Sequence, residues 1–264
     1  MKKVRLDQRV YELGFTESRE RAKTTVMSGI VFVNGQRADK PGMPVDPNAD
    51  IEVRGDALPF VSRGGFKLDK ALKVFPIDPS GRTCIDCGAS TGGFTDVLLQ
   101  HGASKVYAVD VGYGQLAWKL RNDERVINLE RTNLRYVTDE QIPELLDIAV
   151  MDVSFISVKL VLPAVQRLLK SGADIVCLIK PQFEAGREEV GKKGVVRDSA
   201  VHKEVVRSVL DFATTIGLTP VGLDFSPIKG PEGNIEYICH MKNGGFTMPE
   251  LDVDAVVAAS HEAL

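Results

Sequence analysis

The chain has 264 residues, of which 44% are hydrophobic and 26% are charged, and its net charge is −3. These values are close to globular averages and exclude an extensively disordered chain or a fibrous repeat. No uncharged apolar run approaches the roughly 18 residues of a membrane span, and MKKVRLDQRV lacks the apolar stretch of a signal peptide. We therefore expect a soluble, cytoplasmic protein of one large domain or two smaller ones.

The first 28 residues are more basic than the rest of the chain. They contain seven lysines and arginines against four acidic residues, although the whole chain is acidic. Such asymmetry occurs in phosphate-binding segments, but basic helix faces are also often merely solvated. The pattern predicts two short helices, over residues 4–13 and 17–28, with the second opened by the polar segment at Thr16.

Short strands are predicted next, over residues 30–36 and 49–55. The first of them, IVFVNGQ, alternates and then turns at Asn34-Gly35, a dipeptide typical of tight β-hairpins. Together with the two helices, these strands predict a small α+β domain.

Beyond this region, apolar strands alternate with helices. Strands are predicted near residues 83–86, 105–110, 125–129, 147–152, 174–180, 220–226 and 234–241, and helices near 66–75, 93–101, 114–121, 157–170, 199–216 and 249–262. This alternation predicts a mostly parallel sheet covered on both faces, with its ligand outside the carboxyl ends of the strands. The predicted organisation is an α+β domain at 1–58, a linker at 59–65, an α/β domain at 66–245 and a C-terminal helix or tail at 246–264.

Cys84 and Cys87 form a C-x-x-C pair in the first strand of the larger domain. No second pair or nearby histidine completes a zinc site, and the other two cysteines lie in apolar runs. Buried thiols are therefore the favoured interpretation, with metal or redox use as the alternative.

The same strand runs into a glycine-rich loop, IDCGASTGGFTDVLL. Its glycines allow a tight turn and close backbone approach immediately before a helix, as in nucleotide-binding loops. No lysine follows, and the spacing departs from G-x-G-x-x-G, so pyrophosphate binding is disfavoured.

The pattern Asp86-x-Gly88-x-x-x-Gly92 resembles the first motif of S-adenosylmethionine-dependent methyltransferases. Asp110 ends the second strand, where a carboxylate can accept hydrogen bonds from both ribose hydroxyls of an adenosine. Asn133-Leu134 is a weaker candidate for holding the adenine, and a plain loop is the alternative. The resemblance implies a cofactor site formed by Asp86, Gly88, Ser90, Gly92, Gly93, Phe94, Asp110 and Asp152, with Ser90 where many such enzymes have a second glycine.

Three further strands carry a charged residue at one end. Asp152 and Lys180 close the fourth and fifth strands, and Glu236 lies near the start of the last. If the sheet has the methyltransferase order 3-2-1-4-5-7-6 with the seventh strand antiparallel, these three residues share one edge. A buried ion network is the alternative interpretation.

The set Lys67, Asp152, Lys180 and Glu236 resembles the Lys-Asp-Lys-Glu tetrad of FtsJ-like ribose 2′-O-methyltransferases. Lys67 is chosen over Lys70 and Lys73 because SRGGFKL resembles the SRxxxKL segment of that family. The strings DCGASTGGFTD, DVSF, KPQFE and KGPEGNIEY are more similar still to the TlyA or hemolysin A family of ribosomal RNA methyltransferases.

The N-terminal segment beginning RLDQRVYELGFTESRERAKTT resembles the S4 RNA-binding domain. This resemblance implies that four basic side chains project toward RNA phosphates: Arg5, Arg19, Arg21 and Lys23. Ribosomal RNA or ribosomal subunits are the implied partners, and a cytidine 2′-hydroxyl is the implied target.

The family resemblance leads to a hypothesis for the chemistry, with Lys180 as the base that accepts the 2′-hydroxyl proton. Burial and a second cation, such as Lys67, both disfavour the charged form of a lysine. Asp152 would orient Lys180 and face the methyl donor, while Lys67 and Glu236 tune charge and position the ribose. No metal is required for this chemistry, and residues 184–198 are predicted to be either a lid or a solvated loop.

Three other functions are compatible with parts of the sequence. The S4-like module alone would suffice for a non-catalytic RNA-binding protein, but the intact cofactor loop and tetrad argue against this. A membrane-active hemolysin is disfavoured because no amphipathic or spanning segment of suitable length is evident. A small-molecule methyltransferase is disfavoured by the RNA-binding module.

Overall fold

The computed structural model describes residues 3–16, 18–54, 59–191, 193–230 and 232–264. The chain divides into two compact units, Met1–Gly65 and Phe66–Leu264. Residues 59–65, expected to be a linker, belong to the first unit.

The first unit contains two helices and short antiparallel strands. Its elements are β1 (Val4–Arg5), α1 (Leu6–Glu12), α2 (Arg19–Met27), β2 (Val31–Val33), β3 (Gln36–Ala38), β4 (Pro44–Val45) and β5 (Ile51–Val53). Strands β3, β2 and β5 form one sheet in that order, and β1 pairs with β4. The predicted hairpin joins β2 to β3, with positive φ angles of 50° at Asn34 and 76° at Gly35, as a type I′ turn requires.

Helix and strand boundaries in this unit differ from the prediction at two places. Val4 and Arg5, predicted to be helical, pair instead with Pro44 and Val45 as strands. Helix α2 begins later than expected because the Ser18 hydroxyl, not Thr16, caps it by accepting a hydrogen bond from the amide of Arg21.

The second unit has a seven-stranded sheet flanked by helices. Its elements are α3 (Gly65–Val74), β6 (Thr83–Cys87), α4 (Gly93–Gln100), β7 (Lys105–Val109), α5 (Trp118–Arg121), β8 (Val126–Leu129), β9 (Leu146–Met151), α6 (Leu162–Gln166), β10 (Leu169–Ile179), α7 (Pro181–Glu184), α8 (Ser199–Thr215), β11 (Leu218–Phe225), β12 (Tyr237–Asn243) and α9 (Val253–Ala263). The strand order is β11-β12-β10-β9-β6-β7-β8, and β12 runs antiparallel to both neighbours. The predicted order 3-2-1-4-5-7-6 is therefore confirmed.

Strand register brings the predicted charged residues to one edge of this sheet. Met151 pairs with both Cys87 and Cys177, so Asp152 lies level with the start of the glycine-rich loop. Ile179 pairs with Tyr237 across the antiparallel strands, so the next residue of β10, Lys180, lies beside the residue that precedes β12, Glu236.

One face of the sheet carries a large hydrophobic core cluster. Cys87, Met151 and Cys177 form one row across that face and belong to a core cluster that includes residues of α6, α8 and α9. Cys84 and Cys87 are three residues apart on one strand, so their side chains point to opposite faces. All four cysteines are buried and free, and one C-x-x-C strand cannot bring both of its thiols to one ligand.

Two predicted helices of this unit are wrong in extent. Within residues 157–170, only a 3₁₀ turn at Val158–Leu160 and the short α6 form, and β10 already begins at Leu169. Within residues 114–121, only α5 is helical. Gly114 has a φ angle of +70°, which an α-helix does not accommodate, so the chain before α5 forms a loop.

Candidate active site

The glycine-rich loop and the end of β7 are joined by the Asp110 carboxylate. One of its oxygens accepts a hydrogen bond from the amide of Ser90 at 2.7 Å, and the other accepts from the amide of Gly112 at 2.6 Å. Each carboxylate oxygen has a further lone pair, so the group can also accept from the hydroxyls of a ligand.

Positive φ angles and close neighbours explain two glycines of this loop, with the Asp152 backbone next to Gly88 and the Leu120 side chain next to Gly92. Gly88 has φ +86°, and a Cβ there would lie 2.9 Å from the carbonyl oxygen of Asp152. Gly92 has φ +94°, and a Cβ there would lie 2.3 Å from Leu120. Ser90 adopts a φ of +48°, a strained conformation that costs a non-glycine residue about 1 kcal/mol.

Asp86 lies beneath this loop and is almost completely buried. One of its oxygens accepts hydrogen bonds from the amide and the hydroxyl of Thr95, at 2.8 and 2.7 Å, which ties β6 to α4. Its other oxygen has no hydrogen-bond partner among the described residues. Burial raises the pKa of Asp86 to about 7, although the hydrogen bonds from Thr95 oppose this rise.

A cavity of about 450 Å³ opens next to the loop. This volume is within the range of about 300 to 1,000 Å³ typical of small-molecule sites. Four of the residues expected at the cofactor site line it, namely Gly88, Ser90, Asp110 and Asp152, and so do Asn133 and Leu134. Gly93 and Phe94 are instead buried at the start of α4, where they support the loop.

At the edge of the sheet, four charged side chains form a chain of ion pairs. The Lys67 ammonium lies 2.6 Å from Glu236 Oε2 and 3.2 Å from Asp152 Oδ2. The other oxygen of Asp152, Oδ1, lies 2.5 Å from Lys180 Nζ. The structure therefore brings together all the residues of the predicted tetrad, with Asp152 between the two lysines and also against the cavity.

Mutual attraction keeps members of this cluster charged despite burial. Burial alone raises the pKa of Asp152, but the two lysines outweigh it, and this pKa lies below the ordinary aspartate value. Burial alone lowers the pKa of Lys67, but Asp152 and Glu236 outweigh it, and this pKa is raised. Lys67 is consequently a fixed positive charge within the cluster.

The two competing lysines of α3 have different partners. Lys70 Nζ lies 2.7 Å from Asp224 and donates to the carbonyl of Phe225. Lys73 pairs with Asp69, one helical turn before it. Of these three lysines, only Lys67 is placed against Asp152 and Glu236.

The end of β10 has the backbone that its sequence predicts. Lys180 has φ −114° and ψ 104°, an extended conformation of the kind that a following proline favours. Pro181 then occupies the first position of the short α7, where its missing amide hydrogen costs nothing.

Sequence reasoning missed several residues around this edge. Ser154 accepts a hydrogen bond from Lys180, and Glu184 binds the segment that follows Ser154. Phe155 is 91% exposed at the cavity and has a φ of +64°, which is rare for a bulky residue. The strings DVSF and KPQFE contain these residues, but their spacing gives no signal that the two segments contact each other.

In the first unit, the predicted RNA-binding residues do not all lie together. Arg5 and Arg19 both approach the buried Asp7, at 2.8 and 3.8 Å. Lys23 is exposed one turn beyond Arg19 on the same face of α2. Arg21 projects from a different face of that helix, because two residues along a helix correspond to a rotation of about 200°.

Two residues of the predicted lid segment form hydrogen bonds with Asn234, which precedes β12. Asn234 accepts a hydrogen bond from the amide of Val196 and donates to the carbonyl of Gly194. Val196 is buried, whereas residues 187–189 are exposed. Lys192 of this segment lies outside the described residues.

The seven-stranded sheet is mostly parallel, with a glycine-rich loop after β6 and an acidic residue after β7. Together with the strand order, these features define a methyltransferase of the S-adenosylmethionine-dependent fold class. The chain belongs to the FtsJ-like methyltransferase family, whose model matches residues 60–243, and the S4 domain model matches residues 4–51. The family resemblance and the fold class expected from the sequence are thereby confirmed.

Similar proteins cover almost the whole chain. A Bacillus subtilis protein described as a candidate rRNA methyltransferase is 50% identical, over 100% of this chain and 96% of its own. The 16S/23S rRNA (cytidine-2′-O)-methyltransferase TlyA of Mycobacterium tuberculosis is 46% identical, over 91% of this chain and 90% of its own. A solved structure from Streptococcus thermophilus, described as a candidate hemolysin, is 47% identical with a TM-score of 0.80 and covers 100% of this chain and 97% of its own.

Among the residues that the structure describes, none of the helices combines the length and the hydrophobicity needed to cross a bilayer.

Proposed function

We propose that this chain transfers a methyl group from S-adenosylmethionine to the 2′-hydroxyl of a cytidine in 16S or 23S ribosomal RNA, or in both. The observation that carries the proposal is the buried ion-pair chain Lys67, Asp152, Lys180 and Glu236 at the rim of the cavity. The relatives named above support the choice of RNA and of nucleotide.

The residues around the cavity fit S-adenosylmethionine, which supplies an electrophilic methyl group when bound. Asp110 can accept hydrogen bonds from the ribose hydroxyls, and the loop at Gly88 provides close backbone approach. Asp86 lies beneath the loop and is not among the residues that line the cavity, but its buried carboxylate oxygen without a partner among the described residues is the proposed contact of the positively charged amino-acid part of the cofactor. Asn133 and Leu134 line the same cavity and are the proposed neighbours of the adenine.

Lys180 is the proposed base for the ribose hydroxyl. Lys180 Nζ would accept the proton of the ribose hydroxyl as that oxygen attacks, and bound S-adenosylmethionine would supply the electrophilic methyl group. Asp152 orients Lys180 from one side. On the other side of Asp152, the Lys67 ammonium is held between Asp152 and Glu236 and tunes the charge of the cluster. This scheme uses no metal for the chemical step.

The nucleobase next to the target ribose has a candidate contact in Phe155. This ring is 91% exposed at the cavity and lies 5.2 Å from the ring of Phe183. An exposed aromatic ring can stack on an unpaired base, which contributes about 1 to 3 kcal/mol to single-strand binding. We propose that the cytidine base stacks there when its ribose enters the site.

The first unit is the proposed RNA-binding module. Arg5, Arg19 and Lys23 are exposed to solvent and can contact phosphates without losing the fold of the unit. Arg21 belongs to the same proposal but contacts RNA from a different face of α2. This function requires the protein to act in the cytoplasm, where ribosomes are assembled.

The direct test supplies labelled S-adenosylmethionine together with naked 16S and 23S RNA, each ribosomal subunit and the assembled ribosome. Label should enter at least one RNA, and mapping should locate it at a cytidine 2′-oxygen. Label found only in protein or in small metabolites contradicts the RNA assignment. Tight binding of S-adenosylmethionine without any transfer would instead favour a non-catalytic RNA-binding protein.

A further inference from the structure

The Lys180 ammonium contacts two oxygen atoms from the same loop. Asp152 Oδ1 lies 2.5 Å from Nζ, and Nζ donates a hydrogen bond to Ser154 Oγ at 2.9 Å. The side chain of Lys180 is 7% exposed, whereas Ser154 is exposed and lines the cavity. Ser154 therefore lies at the boundary between the buried lysine and the space where substrate enters.

A lysine that accepts a proton must first present a lone pair in the correct direction. A neutral amine has two N–H bonds and one lone pair in a tetrahedral arrangement. When two acceptors bind the two N–H bonds, the lone pair is restricted to the remaining directions. Ser154 Oγ accepts a hydrogen bond from Nζ, and Asp152 Oδ1 is its ion-pair partner on another side.

We infer that Ser154 is a positioning residue that acts with Asp152 to direct the Lys180 lone pair toward the ribose hydroxyl. This inference rests on the proposed function and adds to it a residue outside the charged tetrad. Without the Ser154 hydroxyl, one N–H of Lys180 loses its fixed acceptor, and the amine rotates among orientations that do not lead to reaction.

The balance of atoms is consistent with this arrangement. The ribose O–H bond breaks, and its proton forms the third N–H bond of Lys180. The ribose oxygen bonds to the methyl carbon, and the sulfur–carbon bond breaks with its electrons retained by sulfur. Lys180 is then an ammonium that is paired with the Asp152 carboxylate and donates a hydrogen bond to Ser154, and both contacts stabilise its new charge.

Glu184 links the segment that carries Ser154 to the segment that carries Lys180. Its two carboxylate oxygens accept hydrogen bonds from the hydroxyl of Ser157 at 2.6 Å and from the amide of Val158 at 2.7 Å. Glu184 ends α7, the short helix that follows Lys180 directly. The segment carrying Ser154 and the segment carrying Lys180 are thus joined at a second point, which limits their relative motion.

The test compares Ser154→Ala with Ser154→Thr, which retains a hydroxyl, in single-turnover methyl transfer to the ribosomal RNA that wild type modifies. Ser208→Ala is the matched control, because Ser208 also accepts a hydrogen bond from a lysine, Lys159, on the exposed surface of α8. Rates are measured from pH 6 to pH 10 at saturating S-adenosylmethionine, and cofactor affinity is measured separately at equilibrium.

We expect Ser154→Ala to lower the maximal rate by about 10- to 100-fold, with cofactor affinity within about twofold of wild type. Ser154→Thr should restore most of the rate, and Ser208→Ala should match wild type.

Three results would overturn the inference while wild type remains active on RNA. One is a Ser154→Ala rate close to wild type at every pH. Another is a lowered rate that threonine does not rescue. The third is a loss of cofactor affinity that accounts for the lowered rate. Absence of transfer by wild type itself would contradict the proposed function instead.

Discussion

In both units of the chain an aspartate lies between two basic side chains, and the clusters at Asp7 and at Asp152 differ in exposure. Asp7 lies 2.8 Å from Arg5 and 3.8 Å from Arg19, whose side chains are 51% and 53% exposed. Asp152 lies 2.5 Å from Lys180 and 3.2 Å from Lys67, whose side chains are 7% and 8% exposed.

This difference in exposure suits the cluster at Asp7 to RNA binding and the cluster at Asp152 to proton transfer. Half-exposed guanidinium groups stay charged and can meet a phosphate without a large desolvation cost, which suits contacts to a polyanion. Buried lysines are sensitive to every neighbouring charge, so the protein controls their protonation and direction. We therefore expect changes in the second cluster to affect the rate of methyl transfer, and changes in the first to affect RNA affinity.

The largest effect is expected from Asp152→Asn, which removes the charge between the two lysines. Methyl transfer should fall by at least about 10³-fold, because Lys180 loses the negative charge of the side chain that orients it. Leaving buried ammonium groups uncompensated should also cost about 3 kcal/mol of unfolding free energy. Single-turnover rates and chemical denaturation measure the two effects, and a rate within about tenfold of wild type would contradict the assigned position of Asp152 in the mechanism.

Arg19→Ala should weaken binding to ribosomal RNA and leave chemistry intact. We expect about a tenfold loss of affinity and a slope of log K against log salt that is shallower by about 0.7 to 0.9. The single-turnover rate at saturating RNA should stay within about twofold of wild type. A lowered rate at saturation with unchanged affinity would show that the first cluster does not serve binding.

Asp7→Asn tests whether the first cluster also stabilises its unit. The Asp7 pKa is lowered, because hydrogen bonds and charge from Arg5 outweigh its burial. A lowered carboxyl pKa contributes stability above the unfolded-state pKa of about 4, and this contribution is lost as pH falls through the folded-state pKa.

Asp7→Asn should therefore lower unfolding free energy at pH 7 by about 1 kcal/mol or less. The difference between wild type and variant should narrow below pH 4 in denaturation experiments at a series of pH values. A difference that is independent of pH would mean that the Asp7 charge has no stabilising role.

The smallest effect is expected from Lys70→Met, which serves as the control for Lys67. Lys70 lies one helical turn after Lys67, but it pairs with Asp224 and not with the tetrad. Its loss should cost about 1 kcal/mol or less of stability and leave methyl transfer unchanged. A large loss of activity would question the choice of Lys67 as the tetrad lysine.

Sequence patterns predicted the features that are encoded locally. The hairpin at Asn34-Gly35 follows from backbone preferences of single residues, and the sheet order follows from a family whose motifs occur in the expected sequence. The conformation of Lys180 follows from the proline after it. A short stretch of the chain determines the hairpin and the Lys180 backbone, whereas the sheet order was predicted from the family resemblance.

Other features depend on contacts between distant segments, and the sequence alone did not reveal them. Ser154 meets Lys180 because β9 and β10 are adjacent in the sheet, and Glu184 meets Ser157 for the same reason. The helix predicted over residues 157–170 is wrong because β10 begins at Leu169 and pairs with Leu146. Helical periodicity cannot reveal such strand pairing.

The central claim is that Lys180, within the buried cluster, accepts the ribose proton, and Lys180→Ala tests it most directly. The account predicts that single-turnover methyl transfer to ribosomal RNA is abolished, while equilibrium affinity for S-adenosylmethionine stays within a few-fold of wild type. A Lys180→Ala protein that binds the cofactor normally and retains near-normal turnover would contradict the account.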